Sequence, residues 1–444
     1  MTDNNRDTLD KSLGTIRRLI PRRLFGIFQR PYHWALAYLA ALRYRFPSRK
    51  IKVIAVTGTK GKSSTVEILN AILEEAGFKT ALSDTIRFKV GDKSWRNLYK
   101  MSMPGRFAMQ KLIRKAVDEG CQYITIEMTS QGALFHRHRW IEIDTLIFTN
   151  LSPEHIKAHG SYEDYVQSKL SIARDMRRSR KKTTIIGNAD DKESDRFLAC
   201  QADRKITYSV RDFEPYRIRP DGLDFTMKGR TVRSHLSGLF NLYNITAAVA
   251  GASNEGVSTE NILSAVEAFH GVPGRVERVR AGQDFEVIVD YAHTSDSLEK
   301  LYKVFRPDPS AAGRGSKRLI AVLGGTGGGR DSWKRREMGR LADIYCDEVI
   351  LTDEDPYDED PAEIIKDVAI GIVSKKPLVI MDRREAIREA VERARANDVV
   401  LITGKGTDPY IMGPRGSKTP WSDARVAREE IKKRLESESK RTAL

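Results

Sequence analysis

The chain has 444 residues, 40% of them apolar and 31% charged, and a net charge of +16. At ~150 residues per domain this is about three folding units, and the balance of apolar and charged residues excludes a disordered or fibrous chain. Three cysteines (Cys121, Cys200 and Cys346) show no paired spacing, which excludes a disulfide framework or zinc knuckle and fits a reducing cytoplasm.

The charge is uneven. Residues 11–50 hold ten Lys/Arg and no Asp/Glu, so this segment carries +10 and leaves +6 for the rest. Nucleic-acid binding is therefore not expected of the protein as a whole. Residues 1–50 read as a basic helical segment broken at Pro21, Pro31 and Pro47. Their longest apolar stretch, 34–42, is far short of the ~20 residues that span a bilayer. It also lies too deep for a signal peptide. Phe25, Phe28, Tyr32, Trp34, Tyr38 and Leu42 are interleaved with the cations, the composition of a docked helical arm or an interfacial anchor. The expectation is docking on the following unit, with weak membrane-surface contact as the alternative.

Residues 53–63 read VIAVTGTKGKS, a β-branched run ending in a glycine loop. Gly58 and Gly61 let backbone N–H groups turn towards a polyphosphate, Lys62 supplies a point charge, and the Ser63 hydroxyl can hold Mg²⁺. A helix predicted over 65–76 would aim its positive end at the same anion. The spacing departs from the common nucleotide loop, because Val56 stands five before Gly61 where glycine is usual.

Further along, 111–129 reads as helix then strand, ending at Glu127. A short strand covers 145–148, a helix 160–176, β-like stretches 205–233, and another helix starts at 242. After Pro273 and Gly274 the pattern restarts, with strands over 286–289, 319–323, 348–351, 378–381 and 399–402 alternating with helices. Such alternation predicts an α/β fold of parallel sheets with helices on both faces. The expected division is 1–50, a central P-loop ATPase unit over 51–272 and a Rossmann-like unit over 273–444, with a site in the crevice between the two.

Glu127 ends an apolar strand, where a parallel sheet presents a Mg²⁺ ligand opposite a phosphate loop. His155 and His159 are four apart, but Glu154 precedes the first histidine instead of following it, which excludes a zinc-protease helix. A single His155 near a magnesium–phosphate site remains. Lys169 follows Tyr165 by a turn, and by pattern alone it is a solvated lysine. Asn241 and Asn244 follow a Gly238 turn and read as helix-capping residues. Asp290 and His293 end a strand within reach of a ribose or substrate. A second glycine loop, GGTGGGRD over 324–331, lacks an acidic ribose partner at the right distance.

Together these segments resemble the Mur ligase superfamily, most closely its MurE branch. The resemblance covers about 52–425 in order: TGTKGKSS, IEMTSQG, FTNLSPEHIKAHGSYEDYVQSK, LSGLFNLYNITAA, GVPGRVE, VDYAHTSDSLEK, GGTGGGRDSWKR, ILTDEDPYDEDP and ITGKGTD. It implies a monomeric cytoplasmic enzyme of peptidoglycan biosynthesis that uses ATP and Mg²⁺ to join an amino acid to a carboxylate through an acyl phosphate. The loop residues Gly58, Thr59, Lys60, Gly61, Lys62, Ser63 and Ser64 would hold ATP, and Ser63, Glu127 and His155 the metal. Lys169 would be a carbamylated lysine supporting a second Mg²⁺. Asn241 would lie by the adenine, Arg275 by the terminal phosphate and Asp290 by the ribose, with His293, Asp355, Tyr357, Gly404 and Asp408 near the substrates. The same chemistry on another acid, as in folylpolyglutamate or cyanophycin ligases, is the runner-up. A nucleotide-gated binding module is set aside, because a complete phosphate site is more than binding needs.

The sequence departs from that pattern in four places. Lys60 replaces an asparagine, and Glu154 an aspartate. GKGHE becomes Gly404-Lys405-Gly406-Thr407-Asp408. The DNPR motif that grips diaminopimelate becomes Glu354-Asp355-Pro356-Tyr357. Without that arginine a second carboxylate loses its bidentate partner. The expectation is a neutral or basic amino acid beside Asp355, Asp358 and Asp408. Where MurE-type enzymes carry a uridine-diphosphate-binding domain of roughly a hundred residues, a typical domain size, only residues 1–50 stand before the loop strand. The expectation is that the acceptor is held differently or is not a UDP-sugar.

Overall fold

The computed structural model describes residues 22–154, 156–219, 221–306 and 317–442. Eight strands build the first sheet: β1 (Lys52–Thr57), β2 (Thr80–Ser83), β3 (Arg87–Val90), β4 (Lys93–Arg96), β5 (Tyr123–Met128), β6 (Thr145–Phe148), β7 (Thr184–Asn188) and β8 (Arg204–Tyr208). Their order is β4-β3-β2-β5-β1-β6-β7-β8, parallel except for the β2-β3-β4 edge. β1 and β5 lie in the middle with helices on both faces, so all their residues but Lys52 are buried and most are apolar. The register pairs Val56 with Glu127 and Thr57 with Met128. It therefore sets Glu127 at the mouth of β1, where the phosphate loop begins.

A small antiparallel sheet follows, made of β9 (Tyr216–Arg219), β10 (Gly222–Met227) and β11 (Arg230–Ser234). The third sheet holds β12 (Glu277–Arg278), β13 (Glu286–Asp290), β14 (Leu319–Leu323), β15 (Glu348–Leu351), β16 (Leu378–Val379) and β17 (Val399–Thr403). Its order is β12-β13-β17-β14-β15-β16, with only β12 antiparallel. Pairing of Asp290 with Thr403 brings the ends of β13 and β17 to one rim. Each of the two large sheets is covered on both faces by an apolar cluster.

The connector into the third sheet is tightly seated. Gly274 has φ +64°, and a Cβ there would lie 2.4 Å from the Thr407 nitrogen and 2.6 Å from the Gly406 carbonyl carbon. Only glycine fits such a crossing of two backbones.

The helices differ from expectation at two places. Helix Arg22–Arg43 runs through Pro31 instead of breaking there. An internal proline costs ~3 kcal/mol, and the docked C-terminal half, with Ala37, Ala40 and Ala41 buried, opposes that cost. Pro47 does interrupt the chain: Phe46 takes φ 46° and a 3-10 turn, Pro47–Lys50, starts on the proline. Pro21 lies outside the described residues, as do the side chains of Phe25 and Phe28. Helix Leu239–Asn254 is preceded by Gly238 at φ 91° without a side-chain cap, so Asn241 and Asn244 are interior residues, not caps.

Candidate active site

The loop after β1 is a shaped cradle. Gly61, at φ +81°, hands over to helix Lys62–Glu75, whose first turn carries no acidic residue. A Cβ on Gly61 would fall 2.1 Å from the Asn244 side-chain oxygen, so the loop closes on that buried amide. Asn244 Nδ2 in turn donates to Asn241 Oδ1 at 3.0 Å, and Asn241 Nδ2 to the Ser237 carbonyl at 2.8 Å. Lys60 donates its backbone N–H to Asn150 and its ammonium to Glu154 at 3.1 Å and to the Thr294 hydroxyl at 2.7 Å. The last bond ties the loop to the second α/β unit. Thr59 shares a 2.8 Å hydrogen bond with the Tyr165 hydroxyl.

Glu127 is buried at the centre. One carboxylate oxygen accepts from the Ser63 hydroxyl (2.8 Å) and from the Thr85 backbone and hydroxyl, and the other from Ser102 (3.0 Å). Lys62 Nζ stands 3.8 Å away and donates to the Thr59 carbonyl at 2.9 Å. Burial pushes the Glu127 carboxyl up, but the Lys62 ammonium and the Ser63 and Thr85 donors outweigh it and hold the group below its ordinary value. Burial pulls Lys62 down, with partial relief from Glu127 and Glu154.

Lys169 is not a solvated lysine. Helix Tyr162–Asp175 turns it inward, where it is fully buried and donates to the Gly58 carbonyl at 2.5 Å. Its ammonium lies 5.0 Å from the Tyr165 ring centroid. Burial first, and then the charge of Lys62, hold it well below the ordinary lysine value. The amine is thus biased towards the neutral, nucleophilic form.

A cavity of about 1030 Å³ opens between the two large sheets. Thr59, Lys60, Gly61, Lys62, Ser63, Ser64, Glu127 and Asn241 line it from one side, and Arg275, Asp290, His293, Tyr357 and Asp408 from the other. Gly58, Lys169, Asp355 and Gly404 are not among the residues that line it. His155 lies outside the described residues, while His159 bonds the Ser130 hydroxyl at 3.1 Å. Arg275 lies over the Tyr291 ring at 4.4 Å. Asp290 accepts backbone N–H bonds from Val276 and Ala292, both at 2.7 Å, so it shapes the strand end as well as facing the cavity. Burial raises its carboxyl above the usual range. His293 donates Nδ1–H to the Tyr291 carbonyl at 2.7 Å, and burial holds the ring well below its ordinary value, so Nε2 carries the acceptor lone pair at neutral pH.

At the far end of the cavity four charges pair with one another. Lys405 Nζ meets Asp355 at 2.8 Å and Asp408 at 3.4 Å, and Lys100 Nζ meets the same two carboxylates at 3.0 and 3.1 Å. Lys100 arrives from the first unit, and its neighbour Arg96 bonds the Thr407 carbonyl at 2.7 Å. Burial opposes the Lys100 charge, but Asp408 and Asp355 raise it overall. Asp358 accepts from the Arg415 backbone. Two of the three carboxylates expected beside a cationic substrate, Asp355 and Asp408, therefore already hold the protein's own lysines.

Residues 56–252 match the Mur ligase middle domain and residues 274–406 the Mur ligase glutamate ligase domain. A UDP-N-acetylmuramyl-tripeptide synthetase of Roseiflexus sp. (strain RS-1) is 37% identical over 421 residues, spanning 89% of this chain and 81% of that protein. The chain belongs to the Mur ligase family. As a Mur ligase it is an ATP-dependent enzyme that forms an amide between an amino acid and a carboxylate. A solved UDP-N-acetylmuramoyl-L-alanyl-D-glutamate–2,6-diaminopimelate ligase is 27% identical, with a TM-score of 0.60 over 89% of this chain and 82% of that one. Folylpolyglutamate synthase of Mycobacterium tuberculosis, at 15% identity and TM-scores of 0.63 and 0.65 in two structures, over 84% of this chain and 92–93% of that one, shares the fold.

The sequence alone does not single out six cavity-lining cations of this Mur ligase: Lys100, Arg137, Lys300, Lys303, Arg330 and Lys334. Arg330 lies in the second glycine loop, whose spacing carries a motif but assigns its charge no role. Lys100 sits in a stretch with no motif at all, and its partners lie more than 250 residues away.

Proposed function

We propose that this Mur ligase adds an amino acid to the free carboxylate of an anionic muramyl-peptide precursor, acting as a cytoplasmic monomer with residues 51–272 as the ATP-binding unit and 273–444 as its partner unit. The observation that carries the reading is the meeting of the Lys62 cation, the neutral-biased amine of Lys169 and the buried carboxylate Glu127 at one end of a two-sided crevice. ATP supplies the phosphoryl group that activates the acceptor. Gly58 to Ser64 enclose its phosphates and Lys62 neutralises them, while Arg275 neutralises from the opposite wall. Phosphoryl transfer asks mostly for such charge neutralisation and alignment. Asn241 would face the base and Asp290 the sugar.

Among the described residues no three His, Cys, Asp or Glu side chains form a metal cage. The donors that fit Mg²⁺ are the Ser63 hydroxyl and Glu127, hard oxygens that leave other positions to phosphate and water. His155 would complete that set. Lys169, biased to its neutral amine, is suited to carry a carbamate whose oxygens face a second ion.

At the far end, Tyr357 replaces the arginine that would grip a second carboxylate, and Lys100 and Lys405 are already paired. This supports an incoming amino acid other than diaminopimelate. His293, with its acceptor Nε2, lines the wall between the phosphates and the Tyr357 end. The test is amino-acid-dependent ADP release from purified protein with muramyl-dipeptide acceptors, followed by mass spectrometry of the product. Amino-acid-independent ADP release, or a product without the added residue mass, would refute the reading.

A further inference from the structure

Helix Arg22–Arg43 meets the body of the protein through its smallest side chains. Ala37, Ala40 and Ala41 are buried. Trp34 and Tyr38 lean on Trp140 with ring centroids at 5.6 and 5.0 Å, and His33 faces Phe135 at 5.3 Å. The larger side chains are left outside. Leu42 and Leu39 are 51% and 50% exposed, Trp34 42%, Tyr32 41% and Tyr38 37%. At 3.6 residues per turn, Tyr32, Ala35, Leu39 and Leu42 form one stripe along the helix. From 31 to 42 the sequence is PYHWALAYLAAL, without a Lys, Arg, Asp or Glu. A contiguous apolar face of this kind on a folded surface marks an interaction site.

The cations are placed around this face, not within it. Arg43 and Arg45 follow its C-terminal end, and Arg49 and Lys50 the next turn, all exposed. Arg49 bonds one Glu142 oxygen at 2.7 Å, and the other accepts from the Arg180 backbone at 3.3 Å. That carboxylate tethers a second basic run beside the helix base, in which Arg177, Arg178, Arg180 and Lys182 are exposed. An acidic protein groove would be met by cations spaced along the contact face. An apolar stripe bordered by cations is the arrangement of a helix lying in a bilayer interface, with apolar side chains at the acyl boundary and basic ones among the phosphates. Among the described residues no helix is long and apolar enough to cross a membrane.

We propose that the Tyr32–Ala35–Leu39–Leu42 stripe is a reversible docking surface for an anionic lipid bilayer, with Arg43, Arg45, Lys50 and the 177–182 run meeting the headgroup phosphates. The sequence-based expectation of an arm packed away on the ATPase unit describes only the inner face of this helix. Because headgroup attraction is screened within about a Debye length, binding weakens as salt rises.

The test is sedimentation of the full chain with vesicles of phosphatidylcholine alone and of phosphatidylcholine mixed with phosphatidylglycerol, at low and at physiological salt. The expected result is binding to the mixed vesicles only, weakened by salt. A Leu39→Glu/Leu42→Glu variant should lower the partition coefficient more than about tenfold, with an unchanged melting curve. An Arg43→Glu/Arg45→Glu variant should lower it towards the value for neutral vesicles. Equal partitioning of the Leu39→Glu/Leu42→Glu variant would overturn the proposal, as would no binding of the intact chain to mixed vesicles. A concentration-dependent dimer that the same variant abolishes, without vesicle binding, would overturn it in favour of a second copy of this chain.

Discussion

At the phosphate end of the crevice, Lys62 stands 3.8 Å from the Glu127 carboxylate and Lys169 bonds a backbone carbonyl, and burial pulls both amines below the ordinary lysine value. At the far end, Lys100 and Lys405 are as enclosed, yet each touches two carboxylates, and Asp355 and Asp408 are shared between them. A buried charge without a partner is costly, whereas a well-bonded pair roughly repays its desolvation. One end is thus poised for an anion from solution, and the other is electrically complete. The contrast teaches that the strongly charged ligand and the selected ligand are met by different physics within one cavity.

The sharpest way to break this contrast is Lys62→Ala. It removes the cation nearest Glu127, and amino-acid-dependent ADP release should fall by at least about 10²–10³-fold with the circular dichroism spectrum unchanged. Near-normal turnover would mean that this cation has no catalytic purpose.

Lys169→Ala should cost about 10²-fold or more and, if a carbamate is the active form, recover in part with added formate or acetate. The same lysine gives a pH signature. In bicarbonate-free buffer its folded pKa is lowered, so between that lowered value and the ordinary one the unfolded chain binds a proton that the folded chain does not. Stability should therefore rise with pH up to the ordinary lysine value near ~10.4. Lys169→Met should remove that slope and raise the melting temperature at neutral pH, which differential scanning calorimetry at several pH values would check.

At the balanced end, Lys100→Met leaves Asp355 and Asp408 to share one lysine. The amino-acid KM should rise about tenfold while the ATP KM moves less than about twofold. Equal changes in both would instead assign Lys100 to holding the two units together. The smallest effect is expected from Tyr357→Arg, which restores a bidentate partner and should improve kcat/KM for diaminopimelate by a few-fold, about 1 kcal/mol or less.

The phosphate loop was legible because every residue in it answers a local demand: Gly61 for its backbone, Lys62 for charge, Ser63 for a hydroxyl. Glu127 was legible because strand order alone decides which end of a parallel strand faces a ligand. Lys169 was not, since the pattern around it is that of an ordinary amphipathic helix and its burial depends on the Gly58 carbonyl, 111 positions away. The continuity of the first helix through Pro31 was hidden for the same reason: what opposes the proline is contact with Trp140, outside any local window. The β3–β4 edge went unread because RFKV and KSWR carry more charge than a strand signature tolerates. The lysine–carboxylate quartet shows the limit best. Asp355 and Asp408 read as acids in the sequence, but their counter-ion Lys100 comes from the loop after β4, in the other unit.

The crossing at Gly274 has a mechanical meaning. The connector between the units is pinned where it passes Gly406 and Thr407, and Arg275, which faces the phosphate end, is the next residue along. Gly274, Gly406 and Thr407 all belong to the 273–444 unit, so the pin fastens the first residues of that unit to its own rim. Arg275 at the phosphate end of the cavity and Asp408 at the far end are thereby held in step by a single backbone crossing.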